Sequence, residues 1–271
     1  RFADKARIPA KVRGNGGSVF GFVFTPGIVI DVNRMKKIQL DPDNWTAVIE
    51  PGVTSFELQK AAAEQGYRVN TAEPAATVCG NIVCTGLFST WANVYGVGAD
   101  HIVDMTFVDR HGTVFSINDK HAPNVFGFEE AVLPSPGICT GARVRMHPVT
   151  DDEEGLLVPF TTLSDAVSFA KDISRRRIGL AVGILGGHYL STFISPTRTL
   201  AEQTRDVFSG ILEMTCVVSV IGDKYARSSI RQMVPCVIDS STLRMFMLGL
   251  PQLVRSDLAD IVQGLESDRP A

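Results

Sequence analysis

The apolar positions fall into short segments whose periods name the elements. Gly27-Ile28-Val29-Ile30-Asp31-Val32 is almost wholly apolar and reads as a buried strand. Thr46 to Glu50 reads as a second strand, ended by Pro51-Gly52. Thr54 or Ser55 caps the helix that follows, and Gly66 stops it. Val103 to Val108 and Gly112 to Ser116 form a hairpin that turns through Asp109-Arg110-His111-Gly112. Ile138 to His147 is a strand closed by Pro148. Its alternating Arg143 and Arg145 mark one wet face. Phe2 to Arg7 reads as the end of a helix whose beginning is absent, so residues are expected to be missing ahead of it.

Beyond the acidic run Thr150-Asp151-Asp152-Glu153-Glu154-Gly155 the texture changes, and that run is the expected domain boundary, dividing 1–150 from 151–271. Leu156 to Phe160 is a strand. An amphipathic helix opens at Leu163-Ser164-Asp165 and ends near Arg175-Arg176-Arg177, where the arginines oppose its dipole. Ile178 to Ile194 reads as a strand or two broken by Gly186-Gly187. A helix over Leu200 to Leu212, a strand over Cys216 to Ile221 and a further helix over Gln252 to Gln263 complete an α+β pattern.

Composition narrows the classes. The 271 residues are 45% hydrophobic and 20% charged, with net charge -3, which describes a soluble globular protein with no basic surface for nucleic acid. No apolar run reaches the length of a membrane span. The five cysteines, at 79, 84, 139, 216 and 236, include no Cys-x-x-Cys pair. They read as reduced thiols in a reducing, cytoplasmic compartment, with no metal site.

Candidate chemistry centres on Arg13-Gly14-Asn15-Gly16-Gly17-Ser18. Glycines there let the backbone turn tightly and converge several N–H groups on a phosphate, and Ser18 adds a hydroxyl. A glycine-rich hairpin without a ligand fits the same residues. The loop lacks the Gly-Lys-Ser/Thr of a Walker loop, and no third glycine opens a helix in the Rossmann manner. Residues 70–98 are rich in small side chains and poor in charge, which suits close packing against something flat or simply a turn-rich core. His111 reads as an exposed turn residue. His101 and His121 sit in loops without an evident partner, and the lone His188 carries no assigned role.

The first 150 residues resemble the FAD-linked oxidases of the vanillyl-alcohol oxidase / p-cresol methylhydroxylase superfamily. Arg7-Ile8-Pro9 leading to the 13–18 loop is similar to "IPV-x-x-RGGGTS". Residues 27–35 are similar to "GGIVIDLSRMN", and Val48 to Val53 to "V-x-V-x-PGV". Thr77-Val78-Cys79-Gly80-Asn81 resembles "TIGGN", Tyr95-Gly96 with Asp100 resembles "YG-x-x-x-D", and Thr106 to Gly112 resembles "VVL-x-DG". Pro134 to Pro148 aligns without a gap to "GTLGIITEATLRLHP". The resemblance implies a two-subdomain FAD-binding domain of the α+β class, its first βα part missing here, followed by a partial ferredoxin-like α+β substrate or cap domain. It implies that Arg13, Gly14, Asn15, Gly16, Gly17 and Ser18 hold the pyrophosphate. Thr77, Gly80, Asn81 and Thr85 would lie along the ribityl and ring, and Gly137 and Ile138 near the adenine–ribose half.

Departures from the family pattern shape the expected activity. Gly17 stands where some members carry a histidine bonded to FAD, so the FAD is expected to be non-covalent. The "GSEGTLG" segment reads Ala131 to Gly137 without its Ser-Glu pair, and "TNAGG" reads Cys84-Thr85-Gly86-Leu87-Phe88. No "HxxxGDGNxH" occurs, and no catalytic residue is identified. The resemblance implies an FAD-dependent oxidoreductase that oxidises a small 2-hydroxyacid of the lactate or glycolate type by hydride transfer to flavin N5. Oxidation of a phenolic or other alcohol, and a non-catalytic FAD-carrying electron-transfer subunit, stand as alternatives. The expected partners are a small-molecule substrate, an electron acceptor or redox protein, and a second copy of the chain.

Overall fold

The computed structural model describes residues 1–16, 23–71, 74–85, 89, 91–118, 137–193, 195, 197–210 and 213–239. The chain divides into two compact units, Arg1–Val149 and Thr150–Ala271.

The first unit opens with α1 (Phe2–Lys5), β1 (Ala10–Arg13) and β2 (Ile28–Asp31). β1 and β2 pair in parallel, from Ala10 opposite Ile28 to Arg13 opposite Asp31. β2 is not the buried strand that its apolar run implies. Val29 is 45% exposed, because β1 and β2 make a sheet of two strands with no further described strand beside them. Next come β3 (Ile38–Asp41), β4 (Thr46–Ile49), α2 (Ser55–Ala63) and β5 (Tyr67–Val69). Thr54 accepts from the Glu57 backbone while Glu57 returns a carboxylate to the Thr54 N–H, a reciprocal capping box that makes Thr54, of the two candidates, the cap.

The stretch 70–98 holds two helices, α3 (Val78–Thr85) and α4 (Ala92–Tyr95). Glycine, threonine and asparagine favour helix weakly, and packing decides instead: Val78, Cys79 and Ile82 are buried against the sheet. The hairpin is β6 (Ile102–Val108) and β7 (Val114–Asn118), its turn tied by the Thr113 N–H donating to Asp109. β8 (Ile138–Pro148) is the axis of the unit. β6 pairs along one edge of it, and β4 along the other. β5 takes its last three residues, and β3 and β7 lie outermost. Every second residue from Ala142 to Met146 is buried, while Arg145 is exposed, as a strand with one dry face requires. Phe107, Met105, Ile49 and Leu58 fill the core between this sheet and α2 and α3.

The second unit contains β9 (Glu154–Phe160), α5 (Leu163–Arg175), β10 (Ala181–Gly186), α6 (Gly187–Phe193), α7 (Arg198–Gly210), β11 (Cys216–Gly222), α8 (Lys224–Met233) and β12 (Ile238–Asp239). Its antiparallel sheet runs β10-β11-β9-β12. Ile173 of α5 and Ile230 of α8 pack on Val158, Val218 and Val220. The double glycine 186–187 does not separate two strands. It marks a direct passage from strand to helix, with Gly187 donating to the Thr215 carbonyl. Arg176 pairs with Asp172 at 2.9 Å on the exposed end of α5. The expected helix at 252–263 lies outside the described residues. No described helix is long and apolar enough to cross a membrane.

Candidate functional site

β1 delivers Arg13 to the start of the glycine loop, where its guanidinium pairs with Asp31 of β2 at 3.1 Å. The chain then crosses to the N-terminus of α3. Asn15 Nδ2 donates to the Ala75 carbonyl at 2.7 Å. The Thr77 side chain lies against Gly14: a Cβ built there would sit 2.3 Å from Thr77 Oγ1. Gly80, one turn into α3, meets the same hydroxyl at 2.6 Å from its own built Cβ. Neither position accepts a side chain unless Thr77 moves, so glycine at both is a packing requirement. Gly16 takes a left-handed φ of +74°.

Thr77 is itself fixed. It is 5% exposed and bridges to Thr54, and its carbonyl accepts from the Asn81 N–H at 3.0 Å. The bare backbone of residues 14–16 therefore meets the first turn of α3, which is the kind of surface on which peptide N–H groups and a helix dipole hold an anion. The fold thus brings together Arg13, Gly14, Asn15, Gly16, Thr77, Gly80 and Asn81. Thr85 ends α3. Gly17 and Ser18 lie outside the described residues.

Gly137 leads into β8, which begins at Ile138 beside Val108, and a Cβ at Gly137 would sit 2.5 Å from the Val108 carbonyl oxygen. Cys139, the next residue, packs against the apolar cluster to which Cys79 of α3 belongs. The neighbouring Cys139 thiol and burial push the Cys79 thiol well up, and Cys79 holds Cys139 below the usual thiol range.

A second cluster has no local signature in the sequence. His101 is buried, not solitary in a loop. Its Nε2–H donates to the Tyr95 carbonyl, and its Nδ1 faces His147 Nε2 at 3.1 Å. The Tyr95 ring stacks on His147 with centroids 3.9 Å apart. Arg68, opposite His147 in the β5–β8 register, is fully buried with its guanidinium 4.3 Å from the Trp91 ring centre. Burial, then the neighbouring His101, Arg68 and Arg145, press the His147 pKa down to about 4. His111 is an exposed turn residue facing Asp4 at 3.8 Å, and His188 is exposed on α6. His121 lies outside the described residues. Among the described residues no group of three or more His, Cys, Asp or Glu side chains is placed to hold a metal ion.

Residues 1–118 match the family model described as FAD binding domain. The chain is 27% identical over 191 residues to D-lactate dehydrogenase of Archaeoglobus fulgidus, covering 67% of this chain and 43% of that protein. It is 28% identical over 170 residues to (R)-6-hydroxynicotine oxidase of Paenarthrobacter nicotinovorans, covering 62% of this chain and 36% of the relative. The chain thus spans less than half the length of these curated relatives. A solved structure of alkyldihydroxyacetonephosphate synthase superposes with a TM-score of 0.67 at 19% identity, over 88% of this chain and 48% of that one. The bare backbone of residues 14–16 beside Thr77 lies within residues 1–118, the part of the chain that is similar to that FAD binding domain.

Proposed function

We propose that this chain is the flavin-holding part of an FAD-dependent oxidoreductase that oxidises a small 2-hydroxyacid and keeps its FAD without a covalent bond. The observation that carries the cofactor site is Thr77 lying against both Gly14 and Gly80. The likeness to D-lactate dehydrogenase supports the substrate class. FAD, when bound, supplies the hydride acceptor at N5. The chain's own residues supply placement. The backbone N–H groups of residues 14–18 bind the pyrophosphate, with Ser18 adding a hydroxyl and Arg13 a nearby positive charge. Asn15 holds the loop against Ala75. Thr77, Gly80, Asn81 and Thr85 line the ribityl and ring along α3, and Gly137 and Ile138 flank the other half. With glycine at position 17, no side chain there is available for a covalent link. Residues 151–271 serve as part of the substrate domain, and the protein acts in the cytoplasm.

A different substrate is favoured by one specific finding, the likeness to an oxidase whose name gives 6-hydroxynicotine as its substrate. The test covers both readings. The purified full-length protein is scanned in the visible range before and after acid precipitation, then bleached anaerobically with D-lactate, glycolate, a cyclic amine and a p-cresol-like phenol. A flavin released by acid, and bleached by the hydroxyacids alone, is the expected result. Bleaching only by the amine or phenol replaces the substrate class. Bleaching only on addition of a partner protein turns the chain into an electron-transfer subunit. A colourless protein that refuses added FAD overturns the proposal.

A further inference from the structure

Position 15 breaks the glycine run of the loop. Asn15 stands where "RGGGTS" has its second glycine, and it is the one asparagine of the chain followed by a glycine. The others precede larger residues, among them Asn33-Arg34, Asn81-Ile82 and Asn93-Val94. Asn15 and Gly16 are both exposed, so water reaches the side-chain amide and the peptide group that follows it. The bond from Asn15 Nδ2 to the Ala75 carbonyl, 2.7 Å long, engages the amide nitrogen and not the amide carbon. Gly16 has no Cβ to keep its backbone nitrogen away from that carbon. The Arg13 guanidinium lies beside Gly16, where a Cβ would meet Nε at 2.9 Å. A cation there favours loss of the Gly16 amide proton.

We infer that Asn15-Gly16 is a modification site, at which the chain deamidates through a cyclic imide and Asn15 becomes aspartate or isoaspartate. The Gly16 N–H gives its proton to hydroxide, and the nitrogen attacks the Asn15 side-chain carbonyl carbon. The bond from that carbon to Nδ2 breaks, and Nδ2 takes a proton and leaves as ammonia. Water then adds to one of the two imide carbonyls. Opening of the ring bond to the side-chain carbonyl gives aspartate. Opening of the bond to the backbone carbonyl gives isoaspartate, whose chain runs through the side chain and is longer by one carbon. One water is consumed, one ammonia is released and no electrons are transferred. Either product carries a carboxylate where the amide was, and it loses the N–H that bonds Ala75. The effect on the cofactor, a fall in FAD affinity of about tenfold or more, rests on the FAD reading above, whereas the chemistry does not.

The experiment ages the full chain without added FAD at pH 6 and at pH 8.5 and maps its asparagine peptides by mass spectrometry. The expected result is the mass gain of amide-to-acid exchange at Asn15, faster at the higher pH, while Asn33, Asn81 and Asn93 stay intact over the same time. Asn15→Gln, whose imide would need a ring one atom larger, is expected to show no gain. Two results overturn the inference: an Asn15 still intact at pH 8.5, or gains at Asn33, Asn81 and Asn93 that keep pace with it. If the variant fails to fold, the wild-type map decides alone. A second sample is aged with FAD present, which is expected to slow the gain by covering the loop. A gain at Asn15 that FAD does not slow defeats the reading of the loop as a phosphate site and leaves the deamidation standing.

Discussion

His147 Nε2 lies 3.1 Å from His101 Nδ1, and His101 is anchored one step away. The Tyr95 carbonyl can only accept, so His101 donates to it from Nε2. The Tyr95 ring stacks on His147, so one residue of α4 holds both imidazoles. Arg68 and Arg145 add positive charge on the same side.

A pH dependence of stability follows. The folded His147 titrates at about 4, against 6.5 for the free side chain. Between those values the unfolded chain binds the proton and the folded chain does not, so stability rises with pH across the window. The contribution is complete above 6.5 and is lost as pH falls towards 4. The full shift corresponds to about 3 kcal/mol, and half-burial of the ring reduces it to roughly 1–2 kcal/mol. Urea unfolding at pH 7 and pH 4.5 measures it. His147→Phe keeps a ring against Tyr95 and removes the titration, so the variant should lose less stability on acidification than the wild type. Equal losses would remove His147 from the account.

Gly14→Ala places a methyl group where Thr77 Oγ1 now lies. Overpacking of this kind costs on the order of 1–3 kcal/mol, so FAD affinity is expected to fall about tenfold or more. Thr77→Ala removes the obstructing hydroxyl and methyl. The double variant should bind FAD better than the sum of the two single losses predicts, and fluorescence titration of a double-mutant cycle reads that coupling. Strict additivity would mean that the loop and α3 do not act as one cradle.

Locally written features were legible in the sequence. The Thr54 cap, the hairpin around Asp109-Arg110-His111-Gly112 and the wet-and-dry alternation of β8 depend on residues within a few positions of each other. The glycine-rich turn after β1 was legible for the same reason, whereas the helix α3 in the small-residue stretch 70–98 was not. What stayed hidden depends on distant partners. His101 looked solitary because its partner is 46 residues away. The run at 27–32 looked buried because apolarity alone does not say how many strands will flank it. Gly186-Gly187 looked like a strand break, because the helix it opens is placed by Thr215 on another element.

Phe107→Ala tests where the first unit keeps its stability. Phe107 is fully buried on β6 and stacks with Phe115 of β7, ring centroids 5.8 Å apart. Removing it costs about 3–5 kcal/mol in transfer and cavity terms, a large part of an ordinary domain's stability. Thermal melting by circular dichroism should show a clear drop in midpoint, and Leu163→Ala, exposed on α5 of the other unit, should leave it almost unmoved. A Phe107→Ala midpoint within a degree or so of wild type would contradict the packing of β6, β7 and β8 into one core.

Asn15 separates holding the loop from touching the cofactor. Its side-chain amide donates to Ala75 from an exposed position, and such a bond contributes about 0.5–1.5 kcal/mol net. Asn15→Ala should therefore weaken FAD binding by roughly two- to tenfold. Asn15→Asp keeps the shape but sets a carboxylate against a carbonyl oxygen and near the pyrophosphate, so it should weaken binding more than alanine does. Raising the salt concentration should narrow the gap between the two variants, because only the aspartate carries a charge to be screened. Two variants that bind FAD alike at low salt would place Asn15 away from the phosphates and make it a brace for the loop alone.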